Sequence, residues 1–143
     1  NVPLQDCIAC GSCAKTGKCV FDDCVNEFAS MAKDADGFIF GTPVIMRTQQ
    51  VKFKALWIVF LQVLNQLFVH KPAAVISSSR RAGSVTSMDV LNKHLSISEM
   101  PIVTSNYWNE VHGHTPSDVE QDIEGLDTMY ALGKKYGLDV KMH

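Results

Sequence analysis

A short apolar run, GFIFGTPVIM at residues 37–46, constrains the fold of this chain more than any other feature. Asp36 and Gly37 form a turn signal at its start, and Gly41 and Pro43 interrupt it. A dense apolar strand without polar alternation is typical of a parallel sheet, because both faces of such a sheet are covered. The run therefore predicts a fully buried strand inside a parallel sheet.

Strand and helix patterns alternate along the chain on either side of this run. Apolar residues recur with helical spacing before it, and further short apolar runs with turn signals follow it. The predicted strands are residues 37–46, 71–79 and 100–108, and the predicted helices are residues 23–36, 50–68, 87–95 and a last helix that starts near residue 115.

The last helix has the clearest start signal. Thr115 can cap it, Pro116 suits the first turn, and the acidic Asp118 complements the positive end of the helix dipole. We expect its inner face to consist of Val119, Ile123, Leu126 and Tyr130.

This order of elements predicts the α/β class, with a doubly wound parallel sheet between two helical layers. In such sheets ligands bind outside the carboxyl ends of the strands. Three segments should meet there, and each mixes small residues with a few polar or aromatic ones. They are GTPVIM, SSSRRAGS and SNYWNEVHG.

Composition and charge exclude several classes of protein. Apolar residues make up 46% of the 143 residues, which is enough for the core of one domain. The net charge is −2 and no long basic run exists, so nucleic acid is not an expected partner. The most apolar stretch, residues 55–69, contains Gln62, Asn65 and Gln66, which predicts a buried or interfacial helix and not a membrane span.

Four cysteines lie within the 13 residues CIACGSCAKTGKC. Cys7, Cys10 and Cys13 have the spacing of the first three ligands in ferredoxin-type cluster loops, and Cys19 could be a fourth ligand. Zinc sites usually come as two separated pairs of ligands, and disulfides are unusual in a reducing cytoplasm, where we expect this protein. A cluster, free or partly oxidised thiols, and zinc all remain open from the residues. Cys24 is expected at the start of a helix, and the alternative is that it replaces Cys19 as the fourth ligand.

Several segments together resemble the NADPH-dependent FMN reductase family, whose fold is flavodoxin-like. They are ADGFIFGTPV, KPAAVISSSRRAGS and YWNEVHGHTPSDVEQDIEG, and CIACGSCAKTGKCVFDD is similar to the cysteine-rich loop of the iron–sulfur flavoprotein branch of that family. The resemblance implies bound FMN, NAD(P)H as co-substrate, a five-stranded parallel sheet and a homodimer or homotetramer. On that branch, Cys7, Cys10, Cys13 and Cys19 would hold a 4Fe-4S cluster.

The resemblance also implies which residues contact the flavin. One loop would lie against the ring and a second along its other edge, where backbone N–H groups and arginines can bind the polar edge of the flavin and stabilise negative charge. The first loop is Thr42, Pro43, Val44 and Ile45, and the second is Ser78, Ser79, Arg80, Arg81 and Gly83.

Two features depart from the family pattern. The family commonly has an aromatic residue where this chain has Ile45, and its Gly-Ser-rich phosphate turn after the first strand has no counterpart here. The first strand is central in such a sheet, so we expect that residues preceding Asn1 supply it. Residues 1–143 are accordingly expected to be one flavodoxin-like, FMN-binding domain that is incomplete at its amino end, with a cysteine-rich loop at residues 7–24. The apolar segment ALWIVFLQVL, residues 55–64, is predicted to form a subunit interface.

Aromatic and imidazole side chains near the third strand complete the set of candidates. Trp108 is a candidate flavin or substrate contact and Asn109 lies beside it, whereas His112 and His114 are expected to be loop connections. No acid–base residue is assigned, because the flavin would supply the chemistry.

Two functions follow from the resemblance. The first is an enzyme that passes electrons from NAD(P)H through FMN to a quinone, free flavin or another acceptor. The second is an electron carrier in which FMN and a cluster relay electrons between protein partners.

Overall fold

The computed structural model describes residues 5–21, 23–45, 48, 49, 57 and 65–142, and every structural statement below concerns those residues. A helix separates each of the longer strands from the next, as the sequence predicts. In chain order the elements are α1 (Ser12–Thr16), α2 (Cys24–Ala32), β1 (Phe38–Ile45), β2 (Thr48–Gln49), α3 (Asn65–Phe68), β3 (Ala73–Ser79), α4 (Ser84–Ile97), β4 (Glu110–His112), α5 (Pro116–Val119) and α6 (Ile123–Met142).

The sheet has the order β2-β1-β3-β4. β3 lies between β1 and β4 and is parallel to both, whereas the two-residue β2 is antiparallel to the end of β1. Because the three longer strands run in one direction, their carboxyl ends lie at the same edge, which we call the carboxyl edge. The predicted parallel sheet is thus confirmed in its β1 and β3 strands. The prediction that β1 is fully buried is wrong, because its alternate residues, such as Ile39 and Ile45, are exposed.

One face of the sheet is covered by α2 and α4. Alternate residues of β1 and β3 point to this face, where Phe38, Phe40 and Val75 are buried against Phe68 of α3 and against leucines of α4. Trp57 is buried there as well, with its ring centroid 4.6 Å from that of Phe40. The aromatic cluster therefore forms the main core.

Trp57 is the described residue of the segment that is predicted to form a subunit interface. It belongs to the apolar segment 55–64 and is part of the core. The other residues of that segment, and most of the helix predicted for residues 50–68, lie outside the described residues.

The opposite face of the sheet is covered by α6, but not with the predicted side of that helix. Ile123 and Tyr130 are 74% and 66% exposed, and Leu126 is exposed too. The inner side instead consists of Gly125, Thr128, Leu132 and Tyr136.

Small residues explain the error in the predicted helix face. A Cβ added to Gly125 would lie 3.1 Å from the carbonyl oxygen of Glu110, so a larger residue would crowd the contact between α6 and β4. The chain also breaks between α5 and α6, and this break changes the phase of the helical pattern. Thr115 does cap α5 as predicted, in a capping box with Asp118.

The third predicted strand, residues 100–108, is wrong in its position. Within that range only Ile102 forms a bridge, to Ala73, and the strand itself is Glu110–His112. Ser105 is the cause, because its hydroxyl donates to the carbonyl of Tyr107 at 2.7 Å and turns the chain out of the sheet. Such local side-chain bonds compete with the ladder of a strand. Asn109 then returns the chain to β3, since its amide donates to the carbonyl of Val75 at 3.0 Å.

Candidate functional site

The parallel pairing of β1 with β3 brings the two loops of the predicted flavin site to the same place. Thr42 lies opposite Ser77 in the register, and Pro43 lies opposite Ser78. Both strands then end at the carboxyl edge, β1 at Ile45 and β3 at Ser79. Residues 42–45 and 78–83, which are more than 30 positions apart in the sequence, are therefore neighbours.

The buried side chains of this edge are fixed by hydrogen bonds. Ser79 is 3% exposed, and its Oγ lies 2.7 Å from Oγ of Ser84 and 3.1 Å from Nδ1 of His112. These two contacts join the end of β3 to the start of α4 and to the end of β4. Gly83 has a φ of 103°, a conformation that other residues rarely adopt, and it makes the tight turn into α4.

Other side chains of the same edge face solvent. Pro43, Arg80 and Arg81 are exposed, and Ile45 is 51% exposed. Apolar groups on the end of β1 and cationic groups beyond β3 therefore lie side by side on an open surface. Such a surface can hold a flat apolar ring that has a polar or anionic edge.

Trp108 lines a different cavity, which adjoins the carboxyl edge at His112. It is exposed in the loop that precedes β4, and it lines a cavity of about 220 Å³ between β4 and α6. None of the other candidate flavin residues lines this cavity. Its lining is Tyr107, Trp108, Glu110, His112, Asp122, Glu124, Gly125 and Thr128.

Two aspartates near this cavity have pKa values below the ordinary carboxyl range. The backbone N–H of His112, and after it that of Gly125, lower the pKa of Asp122. The backbone N–H groups of Thr115 and His114 likewise lower the pKa of Asp118. Hydrogen bonds that favour the ionised form are the cause in both cases. Asp122 Oδ2 accepts from His112 at 2.6 Å and Oδ1 from Gly125 at 3.0 Å, so this carboxylate joins β4 to α6.

The four cysteines of the motif line a second cavity, of about 160 Å³. Cys10 is exposed and the other three are partly buried, and the remaining lining is apolar apart from backbone. That remaining lining consists of Ile8, Ala9, Gly11, Ala14, Val20 and Phe21. Cys24 does not line the cavity and is the first, exposed residue of α2, as predicted.

Positive φ angles wrap the backbone around this cavity. Gly11 and Gly17, with φ of 69° and 70°, flank the single helical turn α1, and Ala9 has a φ of 52°. This path points the N–H of Ala9 at Sγ of Cys7, 3.4 Å away. Hydrogen bonds to cysteine sulfur are one of the means by which proteins tune iron–sulfur clusters.

Thiol geometry bears on the kind of metal that could bind. None of the cysteines forms a disulfide in the described part of the chain. No three His, Cys, Asp or Glu side chains among the described residues approach closely enough to hold one metal ion. Around tetrahedral zinc, with Zn–S bonds near 2.3 Å, sulfurs lie about 3.8 Å apart. In a four-iron cluster each thiolate binds a different iron, so the sulfurs surround a larger object. Either group needs several thiolates around one space, and the four thiols of the motif line one cavity.

Sequence reasoning missed the residues that hold the cysteine loop (residues 7–24) in place. The side chain of Asn26 bonds to both backbone groups of Cys19 and to the carbonyl of Phe21. Asp23 caps α2 by accepting from the N–H of Val25 at 3.0 Å, and its other oxygen accepts from the N–H of Gln5 at 3.4 Å. An aspartate before a helical pattern is a recognisable cap signal, whereas nothing in the sequence marks Asn26.

The sequence is similar to that of a known protein over nearly its whole length. The chain is 31% identical over 150 residues to a protein of Methanocaldococcus jannaschii named an iron–sulfur flavoprotein, and the match covers 97% of this chain and 76% of that protein.

Two solved structures, each 16% identical to this chain, share its fold. One is a flavodoxin, WrbA-like protein from Agrobacterium tumefaciens, with a TM-score of 0.56 over 74% of this chain and 71% of that one. The other is the Trp repressor binding protein of Bacillus subtilis, with a TM-score of 0.63 over 81% and 70%. The predicted flavodoxin-like fold is confirmed.

The family model for NADPH-dependent FMN reductases matches residues 2–115, which include the cysteine loop, β1, β3 and β4. No helix among the described residues is long and apolar enough to cross a membrane. This chain belongs to the NADPH-dependent FMN reductase family, on the branch that contains iron–sulfur flavoproteins.

Proposed function

We propose that this flavin-dependent oxidoreductase binds FMN at the carboxyl edge and passes electrons from NAD(P)H to an acceptor such as a quinone or free flavin. The observation that supports this most is the pairing of Pro43 with Ser78, since it brings together the two loops to which the family resemblance assigns the flavin. When bound, FMN would supply the redox chemistry, and the protein would bind and orient it.

The residues at the carboxyl edge fit an isoalloxazine ring. Pro43, Val44 and Ile45 would lie against its apolar face, and the hydroxyl of Thr42 is buried beneath them. Ser78, Ser79 and Gly83 shape the second loop, with Ser79 held by the end of β4.

Arg80 and Arg81 would act on the other edge of the ring. Both are exposed and carry a fixed positive charge, so they can bind the polar edge and favour the reduced, anionic flavin. Trp108 lies in the cavity between β4 and α6, and we propose that it contacts the second substrate there and not the part of the flavin that rests on β1.

Flavin binding tests this function directly. We expect the protein, expressed with any residues that precede Asn1 in its gene, to yield FMN after acid extraction and to oxidise NADPH or NADH. Arg80→Ala and Arg81→Ala should weaken FMN binding or lower its reduction potential. Lys134→Ala, which removes an exposed charge from α6, should change neither property. Absence of flavin from such a preparation, and no binding of added FMN, would refute the proposal.

A second function is supported by the cavity between the cysteines. We propose that Cys7, Cys10, Cys13 and Cys19 hold a 4Fe-4S cluster, so that the protein can act as an electron carrier between protein partners. When bound, the cluster would supply one-electron chemistry. The cavity fits such a group because the four cysteines are the residues of its lining whose side chains ligate iron.

Anaerobic reconstitution separates the candidate ligands. We expect about four irons and four sulfides per chain in the wild type, by the stoichiometry of the cluster. Cys10→Ser should lose most of them, whereas Cys24→Ser should keep them because Cys24 lies outside the cavity. Equal iron in both variants would show that the motif is not the ligand set.

The remaining features of the proposed protein follow from the family. We propose that residues 1–143 form one FMN-binding domain, that the protein works in the cytoplasm, and that it assembles as a homodimer or homotetramer. Sedimentation of the flavin-loaded protein tests the assembly.

A further inference from the structure

We infer that Asn26 is a positioning residue for Cys19, and that it makes Cys19, and not Cys24, the fourth ligand of the proposed cluster. The inference rests on the cluster proposed above. It concerns a residue of α2 that lies outside the motif and is not part of the lining of the cysteine cavity.

Three hydrogen bonds define this role. The N–H of Cys19 donates to Oδ1 of Asn26 at 2.9 Å, and Nδ2 of Asn26 donates to the carbonyl of Cys19 at 3.1 Å. The same Nδ2 donates to the carbonyl of Phe21, also at 3.1 Å. One side chain thus occupies both backbone groups of Cys19, which fixes the orientation of its Cα–Cβ bond.

Cys19 needs such a partner more than the other three cysteines do. Cys7, Cys10 and Cys13 follow one another at intervals of three residues, so their spacing alone keeps them close. Cys19 comes six residues after Cys13, beyond the end of α1 and the turn at Gly17. Without Asn26 as a tether, the segment from 18 to 21 would be held only by the bonds between Thr16 and Lys18 and by the packing of Cys19 against the main core.

The tether is firm because α2 is itself fixed. Val25 and Ala29 of this helix are buried in the main core, and Asp23 caps its first turn. Asn26 therefore ties the cysteine loop to a helix that is packed in the main core. Cys24 is held in the same helix but is exposed outside the cavity, so the arrangement favours Cys19 as the ligand.

Two substitutions separate positioning from a general effect on the loop. Asn26→Ala removes all three hydrogen bonds. Asn26→Asp keeps an acceptor for the N–H of Cys19 but replaces both donated bonds with a carboxylate that faces carbonyl oxygens. Glu27→Ala is the matched control, since Glu27 is the next residue of α2 and is exposed.

The experiment measures iron release and thiol reactivity on the full chain. After anaerobic reconstitution, we expect a chelator to remove iron about 10–100-fold faster from both Asn26 variants than from wild type, the usual cost of losing a partner of a metal ligand. Asn26→Asp should also lower the reduction potential of the cluster, because it adds negative charge beside it. In the metal-free proteins, alkylation followed by mass spectrometry should show Cys19 more reactive, with Cys7 unchanged. Glu27→Ala should match wild type.

The possible outcomes distinguish the positioning role of Asn26 from the proposed cluster on which it depends. If wild type holds four irons and both Asn26 variants release them at the wild-type rate, the positioning role is wrong and the cluster stands. If wild type takes up no iron, both the cluster and the role of Asn26 are refuted. If alkylation rises equally at Cys7 and Cys19, Asn26 only supports the fold of the loop, and the inference is also overturned. Circular dichroism of each variant verifies that α2 and the sheet remain folded.

Discussion

Replacing Ser79 by alanine should destabilise the carboxyl edge more than any other single loss of a hydroxyl there. Ser79 Oγ contacts Oγ of Ser84 and Nδ1 of His112, at 2.7 Å and 3.1 Å. The two partners respond differently to its removal. Ser84 is 2% exposed, so water cannot replace the lost contact, whereas the side chain of His112 is 45% exposed and can bond to solvent.

The magnitude follows from this difference in burial. A buried hydroxyl left without a partner costs about 1–3 kcal/mol, so we expect Ser79→Ala to lower the free energy of unfolding by about 2 kcal/mol. Ser84→Ala should cost about 1 kcal/mol, because Ser79 keeps His112 as a partner. The double variant leaves no buried hydroxyl unpaired and should cost about 1 kcal/mol in all, so the two substitutions should be coupled by about 2 kcal/mol.

Urea denaturation of the four proteins tests this expectation. A loss of about 2 kcal/mol corresponds to a midpoint about 1 M lower when m is near 2 kcal/mol/M. Ser96→Ala is the control, since Ser96 is an exposed residue of α4 and lies outside both flavin loops. Additive effects of Ser79→Ala and Ser84→Ala, within about 0.3 kcal/mol, would refute the argument that these hydroxyls satisfy each other. FMN affinity should follow the same order, if the second flavin loop depends on this contact.

Three further predictions concern α6 and its junction with β4. Gly133→Ala should raise the free energy of unfolding by about 0.5–1 kcal/mol, because an added Cβ meets nothing within 4 Å there. Gly125→Ala should instead lower the melting temperature, since its Cβ would collide with the Asp122 carboxylate and crowd the carbonyl of Glu110 at 3.1 Å; a gain equal to that of Gly133→Ala would contradict the close approach of helix and strand. The pKa of Asp122 is lower in the folded protein than its unfolded value of 3.8. The contribution of ionised Asp122 to the free energy of unfolding is therefore fully present above pH 3.8 and is lost as the pH falls through the folded pKa. Asp122→Asn should therefore be less stable than wild type at pH 7, and the difference should shrink toward pH 3.

The parts of the fold that sequence predicted correctly are those set by local composition. β1 and β3 are dense apolar runs bounded by turn signals, and such runs have few alternatives to a strand of a parallel sheet. Only β3 is buried along most of its length, whereas β1 is buried at alternate residues. The start of α5 was equally clear, because Thr115 and Asp118 form their capping box within four residues. The inner face of α6 was predicted wrongly because glycine and threonine pack where larger apolar residues were expected. Their placement depends on the distance between helix and strand, which the sequence alone does not contain.

In the candidate site too, features set by neighbouring residues could be predicted, whereas contacts between residues far apart in the sequence could not. The cysteine motif and the loops after β1 and β3 were recognisable as patterns. The hydrogen bond between Ser79 and His112 spans 33 positions, and His112 was assigned only a connecting role. The contact of Asn26 with Cys19 could not be predicted in the same way. Asn26 lies after the motif in the sequence and resembles any surface asparagine of a helix. Residues that position others are hard to find from sequence, since their effect depends on the backbone of their partner.

The cysteine loop and the carboxyl edge share one core, and this determines which cysteine variant is informative. Cys7 and Cys19 pack against the buried cluster that contains Phe38 and Phe40 of β1. Replacing either cysteine thus changes the support of the strand that carries the first flavin loop, so a loss of FMN in such a variant could come through the core. Cys10 lines the cavity but is exposed and is not among the residues packed against that cluster. Cys10→Ser therefore removes a proposed ligand without that contact. If it loses iron but keeps FMN and NADPH oxidation, flavin chemistry does not require the cluster, and the enzyme is favoured over the obligate carrier.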